Sequence, residues 1–516
     1  MIAVGDKRKE TIQVALADQD MMAAIAVTRF GLGAKPGELA QARQDPQGFL
    51  RSQIRRSGAD QPVGGAASTG QRMAEFRDFR RERREARVEK TADVKPASAQ
   101  MTGAQMDAAN PAMADGAGGK REALDPVKQI GNVLRKDIAA DFGARAQLAA
   151  TTDAAFRERW TLFWANHFTV SASKAVTGTV IGPFEEEAIR PHVFGRFDAL
   201  LAAAETHPAM LTYLDQIQSI GPDSQAAQMM RNGAGRFGAA RLQPAVQRTA
   251  GLNENLAREI MELHTVGVNG GYTQADVTEF ARAMTGLSIG GQRDPGYGAA
   301  VFREAAHEPG ERTVMGVRYD ERGKEQVSAI LSDLAAKPQT ARFICGKLAR
   351  HFVADDPPPA LTARLEAAWT ASQGDLATVA AALIAAPEAW DPRPAKFKTP
   401  YEFIVSSYRA AGTEPMGFQQ LGPILTALGQ KPFSPASPKG WPDDAGSWAA
   451  PDAIVKRMQF AQNFSTQAVD GRDPSALAVA ALGERLRPET AKAISRAESR
   501  AEGFALLLMS PEFQRR

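Results

Sequence analysis

The chain has 516 residues, of which 44% are hydrophobic and 23% charged, the proportions of an ordinary globular protein. Its 62 Lys plus Arg against 59 Asp plus Glu leave a formal net charge of +3, too weak a field over this length to imply a nucleic-acid or membrane partner. The single cysteine, Cys345, excludes a disulfide framework and a cysteine-based zinc site within one chain, and its apolar neighbours at helical spacing make it a core residue.

No apolar run approaches the ~20 residues that span a bilayer. Asp6, Lys7, Arg8, Lys9, Glu10, Asp18 and Asp20 interrupt any signal-peptide core. As written, the chain is expected in the cytoplasm; a periplasmic location would require a mis-assigned start or another export route. Met21 and Met22 precede the first periodic segment, so residues 1–22 read as an N-terminal extension. At this length, one enlarged domain and two lobes are both open.

In chain order, 23–56 reads as helical, with Pro36 at a first helical position. Residues 57–125 turn to Gly, Ala, Ser and charge and read as a charged helix and flexible linker that proteolysis should cut first: the sign-alternating run Arg77–Lys90 is a solvated helix in preference to a nucleic-acid-binding one, and 92–125 is loose. Residues 126–290 form a central helical region, in which Pro183 and Pro191 punctuate one helix and Gly221–Arg248 reads as a mobile loop. Residues 291–320 hold a β-hairpin insertion, Ala300–Glu304 against Arg312–Met315. Residues 321–516 form a C-terminal helical region, with helices expected at 326–334, 340–352, 359–372, 376–386, 401–411 and 500–509. The fold class is therefore all-α, multi-helix, with a small β-hairpin insertion.

The densest chemistry lies in Asn253–His264, followed by a Gly-rich turn to Gly271 and then Tyr272–Val277. Glu254, Arg258 and Glu262 stand at successive i,i+4 steps and suit a salt network. Glu259 and Glu262 share a face, from which His264 is rotated away unless the helix unwinds at its end. This is neither the Glu-x-x-His pair of a di-iron bundle nor a His-Glu-x-x-His zinc helix. Asp276 closes a capping box with Thr273. His167 lies on an aromatic face with Trp160, Phe163 and Trp164, and His307 sits in the expected hairpin turn. His192, His207 and His351 read as structural. The turn Pro438–Pro442 presents Lys439 and Trp441 beside Asp443 and Asp444; Trp441 is either tucked into the core or a face on which a sugar stacks.

Arg29–Gly33, Phe163–Phe168, Gly182–His192, Asn253–Thr265, Tyr272–Val277, Lys396–Pro400 and Pro438–Pro442 together resemble, in order, the bacterial family called domain of unknown function 1800. The resemblance implies a mainly helical protein, and for some relatives export and a sulfatase-like partner protein.

Two functions follow from the residues. One is a hydrolase-like enzyme acting on a glycan or ester, with Glu259, Glu262, His264 and His167 as acid–base groups or as ligands of a divalent metal, and Asn166, Asn253, Glu254, His307 and Trp441 binding substrate. The alternative is a non-catalytic helical scaffold or partner-binding protein whose polar residues form a buried network. The enzyme requires these groups to converge on a concave surface; local pairing of each favours the scaffold.

Overall fold

The helix Ala155–His167 is buried almost all round, with Phe156, Trp160, Phe163 and Trp164 on one face and Arg157, Glu158, Arg159 and Thr161 on the others, so protein surrounds it. A computed structural model describes residues 18–65, 67–92, 126–236, 251–292, 294 and 296–516, and places this helix at the centre. Trp160 stacks on Phe194 with ring centroids 5.9 Å apart, while Phe30 and Phe352 pack against Phe156. The helix also carries three successive charges, tolerable in a core only when each is paired. Arg157 meets Asp60 at 2.7 Å, Glu158 receives both terminal nitrogens of Arg190 at 2.8 Å, and Arg159 meets Glu402 at 2.6 Å. Three distant stretches of sequence are thereby clamped to one helix. The buried apolar residues form a contiguous cluster that runs from Ala23 to Phe513.

Helices dominate the remainder. Lys324–Ala336, Pro338–Phe352, Pro359–Ala371, Leu376–Ala385, Pro400–Ala411 and Arg500–Met509 lie within two residues of the expected boundaries. Cys345 is fully buried, as its neighbours imply. Among the described residues, no helix is long and apolar enough to cross a membrane.

Several local expectations are corrected. Strand β1 (Leu287–Ile289) pairs antiparallel with β2 (Ala300–Phe302), and β3 (Arg312–Val314) with β4 (Val317–Tyr319). Arg312–Val314 therefore pairs with the residues that follow it, not with Ala300–Phe302. Met315 and Gly316, both at positive φ, make a two-residue turn matched to strand twist, which the longer loop from 303 to 311 cannot rival. Gly221–Arg248 contains a helix, Gln225–Arg236, whose start is marked by the Ser224 hydroxyl accepting from the amide of Ala227 at 3.2 Å. Residues 237–250 lie outside the described set. Pro183 sits inside the helix Ala175–Phe184, which continues as a π turn over Glu185–Ile189.

The start of the expected linker is packed. Asp60 pairs with Arg157, and the charged helix Thr69–Ala92 is anchored in its first turn by Arg72, which pairs with Asp137 and Asp141 of the helix Pro126–Thr151. The rest of that linker, 93–125, lies outside the described residues.

Candidate functional site

The helix Asn255–Glu259 continues as a π turn over Ile260–His264. The wider turn alters where the last side chains point, the unwinding on which His264 depended. His264 is fully buried, with Nδ1 2.7 Å from Oε1 of Glu205, itself fully buried; the ring N–H is not aimed along that line, so the contact is one of distance rather than a directed hydrogen bond. The neighbouring carboxylates do not join it. Glu259 is half-buried, and burial pushes its carboxyl up, with His264 opposing and Glu262 reinforcing. Glu262 accepts a long 3.4 Å bond from the Tyr272 hydroxyl.

The other residues of this block are used locally. Glu254 accepts from Thr278, Gln274 and Arg258 at 2.7, 2.8 and 3.0 Å, and the Thr278 hydroxyl is the largest influence holding its carboxyl down. Asn253 donates to the Leu214 carbonyl at 3.0 Å and accepts from the Asn255 amide at 3.0 Å. His307 bonds the Thr285 carbonyl through Nδ1 at 3.0 Å, away from the other histidines. Thr273 and Asp276 form the expected capping box. Of the four expected acid–base residues, His167 and His264 come together, with ring centroids 5.7 Å apart.

His167 ends the central helix. Its Nε2 lies 3.2 Å from the His264 carbonyl oxygen, which only an N–H can satisfy. The lone pair is therefore on Nδ1, and Nζ of Lys347 donates to it at 2.8 Å. Burial, then Lys347, then His264, push the His167 pKa well below its usual value, so the ring stays neutral. Lys347 makes no ion pair among the described residues. Burial pushes its amine down to about 8; Asp443 opposes the shift, while Lys439 and Arg350 reinforce it.

Lys347 and His167 line a cleft of about 770 Å³, within the range of small-molecule sites. One turn beyond Lys347, His351 sits with Nδ1 3.0 Å from Oδ2 of Asp443. Burial opposes the charge on Asp443, but His351, Lys396 and Arg516 outweigh it and hold the carboxyl well below the usual range. Lys396, almost fully buried, also takes Asp355 at 2.6 Å. The opposite wall is the turn that carries Trp441. Asn166 grips the main chain of Trp441 from both sides, Nδ2 donating to its carbonyl at 3.0 Å and Oδ1 accepting from its amide at 2.8 Å. Gly440, at φ +83°, makes the approach possible: a Cβ there would stand 2.4 Å from the Asn166 carbonyl oxygen. Trp441 is half-buried, 6.1 Å from the ring of Trp448, and both rings border the cleft.

A family model described as "Protein of unknown function (DUF1800)" matches residues 25–515. The chain belongs to the DUF1800 family. The stretches that carry the resemblance bring Asn166 and His167, Lys396, and Lys439 with Trp441 to or beneath one cleft, with His264 immediately behind it. No curated protein and no solved structure matches the chain.

Glu259, Glu262, Asn253, Glu254 and His307 do not border this cleft, whereas Asn166, His167 and Trp441 do. Among the described residues, no three His, Cys, Asp or Glu side chains are grouped so as to hold a metal ion. His351, read as structural, lines the cleft, and Lys347, Glu205 and Asp443 had no assigned role. One signal pointed to Lys347: it stands four residues before His351, on the same face of a helix that otherwise buries Ile344, Cys345 and Leu348.

Proposed function

We propose that the protein is a hydrolase and that its active site is the cleft at Lys347 and His167. The observation that carries this reading is a half-buried amine with no carboxylate partner among the described residues, hydrogen-bonded to the Nδ1 lone pair of an imidazole, on the wall of a cleft bordered by two tryptophans. Such an amine takes a proton from water near neutral pH, as a general base does, and the neutral His167 beside it holds the amine in place by accepting its N–H. Exposed Arg350 and Lys439 would stabilise negative charge developing on substrate, and the rings of Trp441 and Trp448 offer a face for a sugar or other flat group.

Between the two substrate classes, an ester is favoured over a glycoside. Glycoside hydrolysis generally uses two carboxyl groups facing the scissile bond. Here Asp443 is engaged by His351 and Lys396, Asp355 by Lys396 and the amide of Ala445, and Asp444 by Ser447. The scaffold reading is retained for Asn253, Glu254 and His307, whose polar groups are taken up by local contacts.

The test is a panel of nitrophenyl esters and glycosides, assayed with the wild type and with Lys347→Met and Asp443→Asn. Ester turnover that falls about 10²–10⁴-fold in Lys347→Met, with the fold intact, is expected of a general base. Full turnover in a folded Lys347→Met would remove the amine from the reaction.

A further inference from the structure

The charges around the cleft are not balanced. The three acids at its edge are all engaged, as described above, whereas Lys347 and Lys439 make no ion pair among the described residues, and Arg350 spends its Nε on the Asp355 carbonyl at 3.2 Å. A cleft with engaged acids and uncompensated cations suits an anion. Lys347 differs from the other two, which are exposed, because it is half-buried and hydrogen-bonded to the lone pair of His167 Nδ1. An amine so placed holds its proton weakly, and desolvation beside other cations is the usual way in which a lysine becomes a nucleophile.

We propose that Lys347 is a nucleophilic amine that forms an imine with a carbonyl compound bearing an acidic group. The inference rests on the cleft being the active site, and adds a covalent role and an anionic ligand class to that reading. In the reaction, the Nζ lone pair attacks the carbonyl carbon and the C=O π electrons move to oxygen, which takes a proton from water. The nitrogen, now carrying an extra proton, passes it to Nδ1 of His167, giving a carbinolamine. His167 then returns the proton to the hydroxyl, water leaves, and the C=N bond forms as an iminium whose N–H proton passes to the hydroxide left by the first protonation. The net change is amine plus carbonyl to imine plus water, with no oxidant or reductant. The His264 carbonyl keeps Nε2 of His167 protonated, so that Nδ1 is the nitrogen free to shuttle.

The test traps the imine in the full chain. The protein is incubated at pH 8 with cyanoborohydride and either glyoxylate, which is anionic, or glycolaldehyde, which is neutral, and the adducts are located by peptide mass spectrometry. At that pH the Lys347 amine is about half free, whereas an ordinary lysine near 10.5 is free at well under about one part in a hundred. The expected result is an adduct at Lys347 on the order of tenfold ahead of exposed lysines such as Lys431, with glyoxylate preferred over glycolaldehyde. In Lys439→Ala that preference should shrink while reaction with glycolaldehyde persists. Labelling of Lys347 no faster than of Lys431 would overturn the proposal, and equal labelling by the two aldehydes would overturn its anionic part. If labelling fails yet Lys347→Met still abolishes ester turnover, the imine is wrong and the hydrolase reading stands.

Discussion

At the scale of single residues, burial decides which charged groups are merely structural. Asp141 shares Arg72 with Asp137, and burial, the largest influence, pushes its carboxyl up to about 7 against the pull of Arg72. An acid whose folded value is raised binds more protons folded than unfolded between about 4 and 7, so this group makes stability fall as pH rises through that window. Asp141→Asn should therefore raise the urea midpoint at pH 8 and change it little at pH 4; a loss at pH 8 would mean that the Arg72 pair outweighs desolvation. The same logic shows why the site residues were only partly legible. Asn166, His167 and Trp441 announce themselves as polar or aromatic residues in short, distinctive stretches. Glu205 and Asp443 do not, because nothing local marks a helix-end acid or one of two turn aspartates as the partner of a histidine far away in sequence; Lys347 is marked only by its spacing to His351, which does not name His167 as its partner. Glu254, conspicuous for its i,i+4 spacing, makes the Arg258 half of the salt network that the spacing suggests, while Glu262 meets the Tyr272 hydroxyl instead.

At the scale of elements, the long helices were readable because each buries one stripe at helical period, as Pro338–Phe352 does with Ile344, Cys345, Leu348 and Phe352. The π turns at 185–189 and 260–264 were not readable, since an inserted residue leaves the composition of the stripe unchanged. The strands were misjudged in pairing: three-residue strands carry almost no alternation, and the positive-φ turn at Met315 and Gly316 went unrecognised. The turn Pro438–Pro442 is the element on which the cleft depends, and Gly440 is its hinge point. Gly440→Ala should leave most of the fold intact, because the strain is confined to one loop; it should shift the fluorescence of Trp441 and Trp448 and weaken ligand binding in the cleft. Unchanged fluorescence with unchanged binding would show that the turn does not need the close approach to Asn166.

At the scale of the molecule, the central helix holds the cleft in place by the same ion pairs that hold the fold together. Arg159 and Arg516 share Glu402, and Arg516 also donates to the His351 carbonyl at 2.6 Å, so the wall carrying His351 is tied to the core. Glu158→Ala would leave Arg190 buried without its carboxylate, and should cost about 3–5 kcal/mol in chemical denaturation. A cost under about 1 kcal/mol would place the pair among those that exchange for apolar contacts without loss. Everything assigned to the cleft turns on whether the Lys347 amine is free near neutral pH. Competitive acetylation of the folded protein across pH 6–11, with the Lys347 peptide quantified against the denatured chain, measures that directly. A labelling midpoint at about 8 is the expected result. A midpoint at 10.5, the ordinary lysine value, would contradict the account.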